Sequence, residues 1–200
     1  PLHSSAASDV YKRQTQYEML KKLELNRESH FILKEKCDKL GIEFFSTAFD
    51  LTSLDFLIKD LKFRTLKIPS GEITNGSLIL NSALSGCDLI ISTGMANLEE
   101  IKNALAITAF GLTIKNDLNP SLSKFKKAFV SQKGKEFLKK KVSLLHCTSS
   151  YPASFEDLNL NSMETMRKKF QLPVGYSDHS LGIEASIAAV AKGAHIIEKH

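Results

Sequence analysis

The chain has 200 residues, 42% hydrophobic and 24% charged, with three cysteines, no tryptophan and a formal charge of +5. That length suits one domain with a real core. No apolar run approaches the roughly 20 residues of a membrane-spanning helix. Cys37, Cys87 and Cys147 stand far apart without a CxxC, so they make neither a disulfide framework nor a thiolate zinc site, which favours a reducing cytoplasm.

Residues 1–14 lack any period that would bury a face, and residues 9–14 (DVYKRQ) resemble the translation of a sequencing-library adapter, so they are expected to lie outside the fold. Residues 17–40 are helical in period and break near Asn26, and Gly41 stops the second helix. Residues 42–47 (IEFFST) read as a strand, and Thr52 is expected to cap the next helix. There follow a strand over 65–69, a helix over 77–85, a strand over 88–93 and a helix capped by Asn97 with Glu100 bonding back. In residues 115–141 nine lysines meet only Asp117 and Glu136, and Phe125, Phe129 and Phe137 fall at helical spacing. That segment reads as a solvated helical excursion, since no nucleic-acid recognition motif accompanies the charge; phosphate-backbone binding is the lesser alternative. Strand 142–148, helix 161–170, strand 174–177, helix 183–192 and strand 195–199 complete the pattern, with Met163, Met166 and Phe170 as a core stripe.

Strands and helices alternating every 21 to 23 residues mean parallel strands joined by right-handed crossovers. An open doubly wound sheet gathers its ligand site at one switch point, whereas a barrel directs every strand C-terminus to one mouth. All six expected strands end in polar or charged residues. The pattern therefore favours an α/β fold of the (β/α)8 TIM-barrel class, six of eight strands being visible and the first two missing. Residues 15–200 form this partial barrel, and the chain reads as a gene fragment.

His179 and His200 close successive strands, whose neighbours lie about 4.8 Å apart, so both imidazoles can converge on one divalent ion with positions left open for water and substrate oxygens. A lysine inside a parallel strand, Lys67, requires an anion; either an anionic substrate supplies it, or Glu72 or Glu198 pairs with it. Thr47, Ser70, Ser92 and Ser177 add hydroxyl donors at the same mouth. No P-loop or GxGxxG supports nucleotide binding. A triad of Ser177, Asp178 and His179 is excluded because adjacent strand residues face opposite ways.

Six ordered stretches, FST at 45–47, KIPSGE at 67–72, STGM at 92–95, LLHCT at 144–148, GYSDHS at 175–180 and IEKH at 197–200, resemble the N-acetylneuraminate (sialic acid) synthase family with its legionaminate and pseudaminate relatives. The resemblance implies a barrel that condenses phosphoenolpyruvate with an N-acetylmannosamine-type sugar. The phosphoenolpyruvate methylene carbon attacks the sugar aldehyde, water adds to the resulting cationic centre, and phosphate departs. It implies Mn²⁺, or else Mg²⁺ or Co²⁺, on His179 and His200. Thr47, Lys67, Ser70, Ser92, Ser149 and Ser177 match phosphoenolpyruvate contacts, with Lys67 also catalytic, Glu72 the candidate for proton transfer and Tyr151 for sugar contact. Ser149 departs from the asparagine that some members carry. It further implies a cytoplasmic homodimeric parent with small-molecule substrates, no nucleic acid or membrane partner, and a C-terminal antifreeze-like domain absent here; the fragment alone is expected to be inactive and poorly folded. The alternatives are another phosphoenolpyruvate-dependent aldol synthase acting on a phosphosugar, and an inactive barrel that only binds.

Overall fold

A computed structural model of the chain describes residues 16–114 and 119–200; the tail expected over 1–14, and Lys115 and Asp117 of the basic segment, lie outside the described residues. The chain divides into two compact units, Pro1–Ser46 and Thr47–His200. In the first, helices α1 (Gln16–Leu23) and α2 (Arg27–Leu40) break where expected. Asn26 is extended, and its side-chain oxygen accepts the Ser29 N–H at 2.8 Å. Gly41 adopts φ 68°, a conformation that suits glycine, and caps the helix by donating to the Asp38 carbonyl.

The strand expected over 42–47 is not formed. A strand exists through the ladder it builds with a neighbour, and residues 42–47 belong to none of the strands that pair in the sheet. Among the described residues the sheet therefore has five strands, not six.

In the second unit, α3 (Leu51–Asp55) is capped by Asp50 rather than Thr52: the Ser53 N–H and hydroxyl both donate to its carboxylate, at 2.8 and 2.6 Å. An N-cap oxygen must reach an amide two or three residues on, and Asp50 is the residue in extended backbone. Then come β1 (Thr65–Ile68), α4 (Gly76–Leu84), β2 (Asp88–Ser92) and α5 (Leu98–Thr113). At Asn97 the expected reciprocal cap is present, with Glu100 bonded back to the Asn97 N–H at 2.8 Å. Gly111 allows α5 to approach α4 closely, since a Cβ there would stand 2.6 Å from that of Ala83. The basic segment forms α6 (Leu122–Val130) and α7 (Gln132–Lys141), docked partly through Phe125, whose ring meets Phe110 edge-on at 5.1 Å. β3 (Val142–Cys147), α8 (Asn161–Phe170), β4 (Val174–Asp178), α9 (Glu184–Ala191) and β5 (Ile197–Lys199) follow. Among the described residues no helix is long and apolar enough to cross a membrane.

All five strands are parallel and lie in chain order, β1-β2-β3-β4-β5. Register pairs Lys67 with Ile90, Ser92 with Leu145, Cys147 with Ser177 and Ser177 with Glu198, so these residues share one face. The other face carries Leu66, Ile68, Leu89, Ile91, Leu144 and Val174, all buried, and α8 and α9 pack against the later strands. Each such apolar side chain contributes about 1.5–3 kcal/mol when fully buried.

The polar face is concave. β1 and β5 are four strand spacings apart, about 19 Å in a flat sheet. Yet Lys67 Nζ of β1 lies 2.6 Å from Glu198 Oε2 of β5. Side chains standing off a flat sheet cannot bridge that span, so the sheet curls toward its polar side as a barrel wall does.

Candidate active site

Parity along the strands delivers the polar groups. Ser177 of β4 and His179 just beyond it are two residues apart and share a face, as do Glu198 and His200 of the next strand end. Ser177 is buried at the centre of the cluster: its Oγ donates to Glu198 Oε1 at 2.7 Å and lies 3.3 Å from His179 Nε2 and 3.5 Å from His200 Nε2. The two imidazoles meet edge-on with centroids 4.5 Å apart. Tyr151, on the loop after β3, stacks on His179 at 3.9 Å and meets His200 edge-on at 5.6 Å.

The tautomer of His179 follows from its partners. The Thr148 carbonyl can only accept, so Nδ1 carries the proton and donates to it at 2.5 Å. Nε2 keeps its lone pair and accepts the Tyr151 hydroxyl at 2.8 Å. Burial lowers the His179 pKa and, with His200 nearby, outweighs the opposing pulls of the Thr148 carbonyl and the Glu198 and Asp178 charges. Burial also pushes the Tyr151 hydroxyl up to about 12, aided by Cys147 and Glu198, so it stays a donor.

Glu198 ties the cluster together. It accepts Lys67 at 2.6 Å, Ser177 at 2.7 Å and His200 Nε2–H at 3.2 Å. Burial alone would push its carboxyl up, but the Lys67 charge and these hydrogen bonds hold it below the usual range. Of the alternatives open for Lys67, the free side chain is met by Glu198. Asp178 points the other way, as parity requires: its carboxylate accepts the Ser180 N–H and hydroxyl, the Ser186 hydroxyl at 2.6 Å, and Lys199 at 3.2 Å. That locks the turn carrying His179 and leaves no triad.

The remaining expected residues are distributed unevenly. Ser70, on the turn after β1, is buried and its Oγ lies 3.1 Å from Cys147 Sγ. Ser149, on the β3 loop, approaches the same spot beside Gly94. Ser92 is buried, and its hydroxyl has no hydrogen-bond partner among the described residues. Thr47 is half-buried and shares no hydrogen bond with the cluster. Glu72 lies on the turn beyond Ser70 and accepts the Asn75 side-chain amide at 2.7 Å, outside the hydrogen bonds that join Lys67, Ser177 and the histidines. Glu198 was open in the sequence only as one partner of Lys67. Its position two residues before His200 was the signal that it would share the face of that imidazole.

These donors fit an open divalent site. Two Nε2 atoms converge on one hydroxyl, one is held in the lone-pair form by a carbonyl behind it, and a cation at the other would displace a proton. Among the described residues no three His, Cys, Asp or Glu side chains are placed to enclose an ion, which excludes a closed structural cage within them.

A chain from Legionella pneumophila, N,N'-diacetyllegionaminic acid synthase, is 49% identical over 186 residues, covering 93% of this chain and 46% of that protein. The protein of the same name from Campylobacter jejuni is 41% identical, covering 94% and 48%. Among solved structures, the N-acetylneuraminic acid (sialic acid) synthetase of Leptospira borgpetersenii superposes with a TM-score of 0.74 at 36% identity, covering 97% of this chain and 59% of that one. The chain thus spans about half the length of the curated relatives it matches. The NeuB family model matches residues 3–200, and this chain belongs to the NeuB family.

Proposed function

We propose that this chain supplies the phosphoenolpyruvate and metal half of a nonulosonic acid synthase. The reaction joins the methylene carbon of phosphoenolpyruvate to the aldehyde carbon of an N-acetylmannosamine-type sugar, adds water at the former enol carbon and releases inorganic phosphate. The observation that carries the reading is the convergence of His179 and His200 on Ser177, on the same concave face as Lys67. Relatives named for N,N'-diacetyllegionaminic acid support a diacetamido sugar over N-acetylmannosamine itself.

In this reading Lys67 exchanges Glu198 for an anionic oxygen of phosphoenolpyruvate, and Ser70, Ser92, Ser149 and Ser177 donate around it, with Thr47 at the edge. The orphan hydroxyl of Ser92 is a donor already desolvated and awaiting an acceptor. Glu198 keeps Ser177 and His200 in register. Tyr151 faces the sugar, and Glu72, two residues past Ser70, is assigned proton transfer at the rim. His179 and His200 would hold a divalent ion, Mn²⁺ first and Mg²⁺ or Co²⁺ as alternatives, which supplies Lewis-acid polarisation of a carbonyl oxygen when bound.

Phosphate release from phosphoenolpyruvate, measured in the protein that carries this chain with each sugar and with or without Mn²⁺, tests the proposal. Release dependent on unphosphorylated sugar and Mn²⁺, with Mn²⁺ binding lost in His179→Ala and His200→Ala, is expected. Release only with a phosphosugar, or Mn²⁺ binding untouched by both substitutions, overturns it.

A further inference from the structure

Side chains at and just beyond the ends of β1 and β3 crowd around Gly94, beside the end of β2. A Cβ placed on Gly94 would lie 2.8 Å from Cys147 Sγ, 2.9 Å from Ser70 Oγ and 3.0 Å from Ser149 Oγ. Gly94 lacks the positive φ of Gly41, Gly86, Gly182 and Gly193, so its backbone does not demand glycine. What excludes a side chain is the company it would meet. The next residue, Met95, does take φ 64°, and its side chain is exposed.

The Gly94 N–H donates to Ser70 Oγ at 3.0 Å, and that oxygen lies 3.1 Å from Cys147 Sγ. With one lone pair taken by the amide, the Ser70 hydroxyl keeps a hydrogen to give and one further lone pair, and either it or the Cys147 thiol donates in the contact between them. Sulfur is a weak partner in either role, so replacing it by an anionic oxygen costs little and gains a charge-assisted bond from the Ser70 hydroxyl.

We propose that Gly94 is a positioning residue of the anion grip: its amide sets Ser70 as a donor, and its missing side chain lets Ser70 and Ser149 close on one phosphoenolpyruvate. This rests on the assignment of those serines above.

Calorimetric titration of phosphoenolpyruvate into wild type, Gly94→Ala, Ser70→Ala and the double variant, in the protein that carries this chain, tests it. Gly94→Ala is expected to weaken phosphoenolpyruvate binding by about tenfold or more, the loss of a charge-assisted bond. Mn²⁺ affinity should stay within about twofold, since the histidines lie on other strands. Because Gly94 acts through Ser70, the two losses should not add. Should Gly94→Ala fail to fold, Gly94→Ala/Cys147→Ala, which removes the nearest clash, is measured instead, with Cys147→Ala as its reference. Wild-type phosphoenolpyruvate affinity in the folded Gly94 variant, or fully additive losses, overturns the inference. A folded wild type that binds no phosphoenolpyruvate overturns the functional reading itself, which is a different result.

Discussion

On the outer face of the sheet, Leu66, Ile68, Leu89, Ile91, Leu144 and Val174 lie within 1% of complete burial, while alternate residues of the same strands present Lys67, Ser92, Ser177 and Glu198 to the concave side. One face removes apolar area from water and stabilises the fold. The other withdraws charges and hydroxyls from water and must recover that cost through mutual bonds, which it does at Lys67, Ser177 and Glu198 but not at the Ser92 hydroxyl. Stability is thus concentrated on one side of the backbone and chemistry on the other, and substitutions on the two sides should fail differently.

The largest effect is expected from Glu198→Ala, which strands the Lys67 ammonium, only 9% exposed, without its counter-ion. Denaturant unfolding should show a loss of about 3–5 kcal/mol, and Lys67→Met/Glu198→Leu should recover most of it. A double variant as unstable as the single one would break the view that this face is retained for chemistry. Next, Leu144→Ala on the outer face, where the side chain is fully buried, should cost about 2–5 kcal/mol yet leave Mn²⁺ affinity unaltered in the folded protein. Asn97→Ala removes the α5 cap outside both faces and should cost about 1 kcal/mol by the same measurement.

The outer face has polar exceptions of its own, and they sharpen the contrast. His146 donates Nε2–H to the Leu158 carbonyl at 2.7 Å, and burial lowers its pKa below 6.5 despite that carbonyl's opposing pull. The folded state therefore binds fewer protons there than the unfolded one. Its contribution is complete above about pH 6.5 and is lost as pH falls from there through the folded value. The drop in urea midpoint between about pH 7 and about pH 5 should shrink in His146→Gln. Smallest of all, Tyr176→Phe deletes a buried hydroxyl with no partner among the described residues, and stability should be unchanged or gain up to about 1 kcal/mol.

What the sequence made legible was local chemistry. The break at Asn26, the stop at Gly41 and the cap at Asn97 fall as expected because a helix end is decided within a few residues. The parity of Ser177 and His179 is equally local, and it excludes a triad through Asp178. The segment 42–47 has strand composition, but pairing depends on a distant neighbour, so composition could not decide it. Asp50 displaced Thr52 because backbone dihedrals, not residue type, choose between two good cap residues two positions apart. The partner of Lys67 needed the curvature of five strands, a quantity no window of sequence contains.

The Lys67–Glu198 contact joins residues 131 positions apart. On a ribosome adding about 5–20 residues per second, the ammonium emerges roughly ten seconds or so before its carboxylate is made. During that interval water is the partner open to the ammonium, so the pair that spans the curled sheet can form only once β5 has been made.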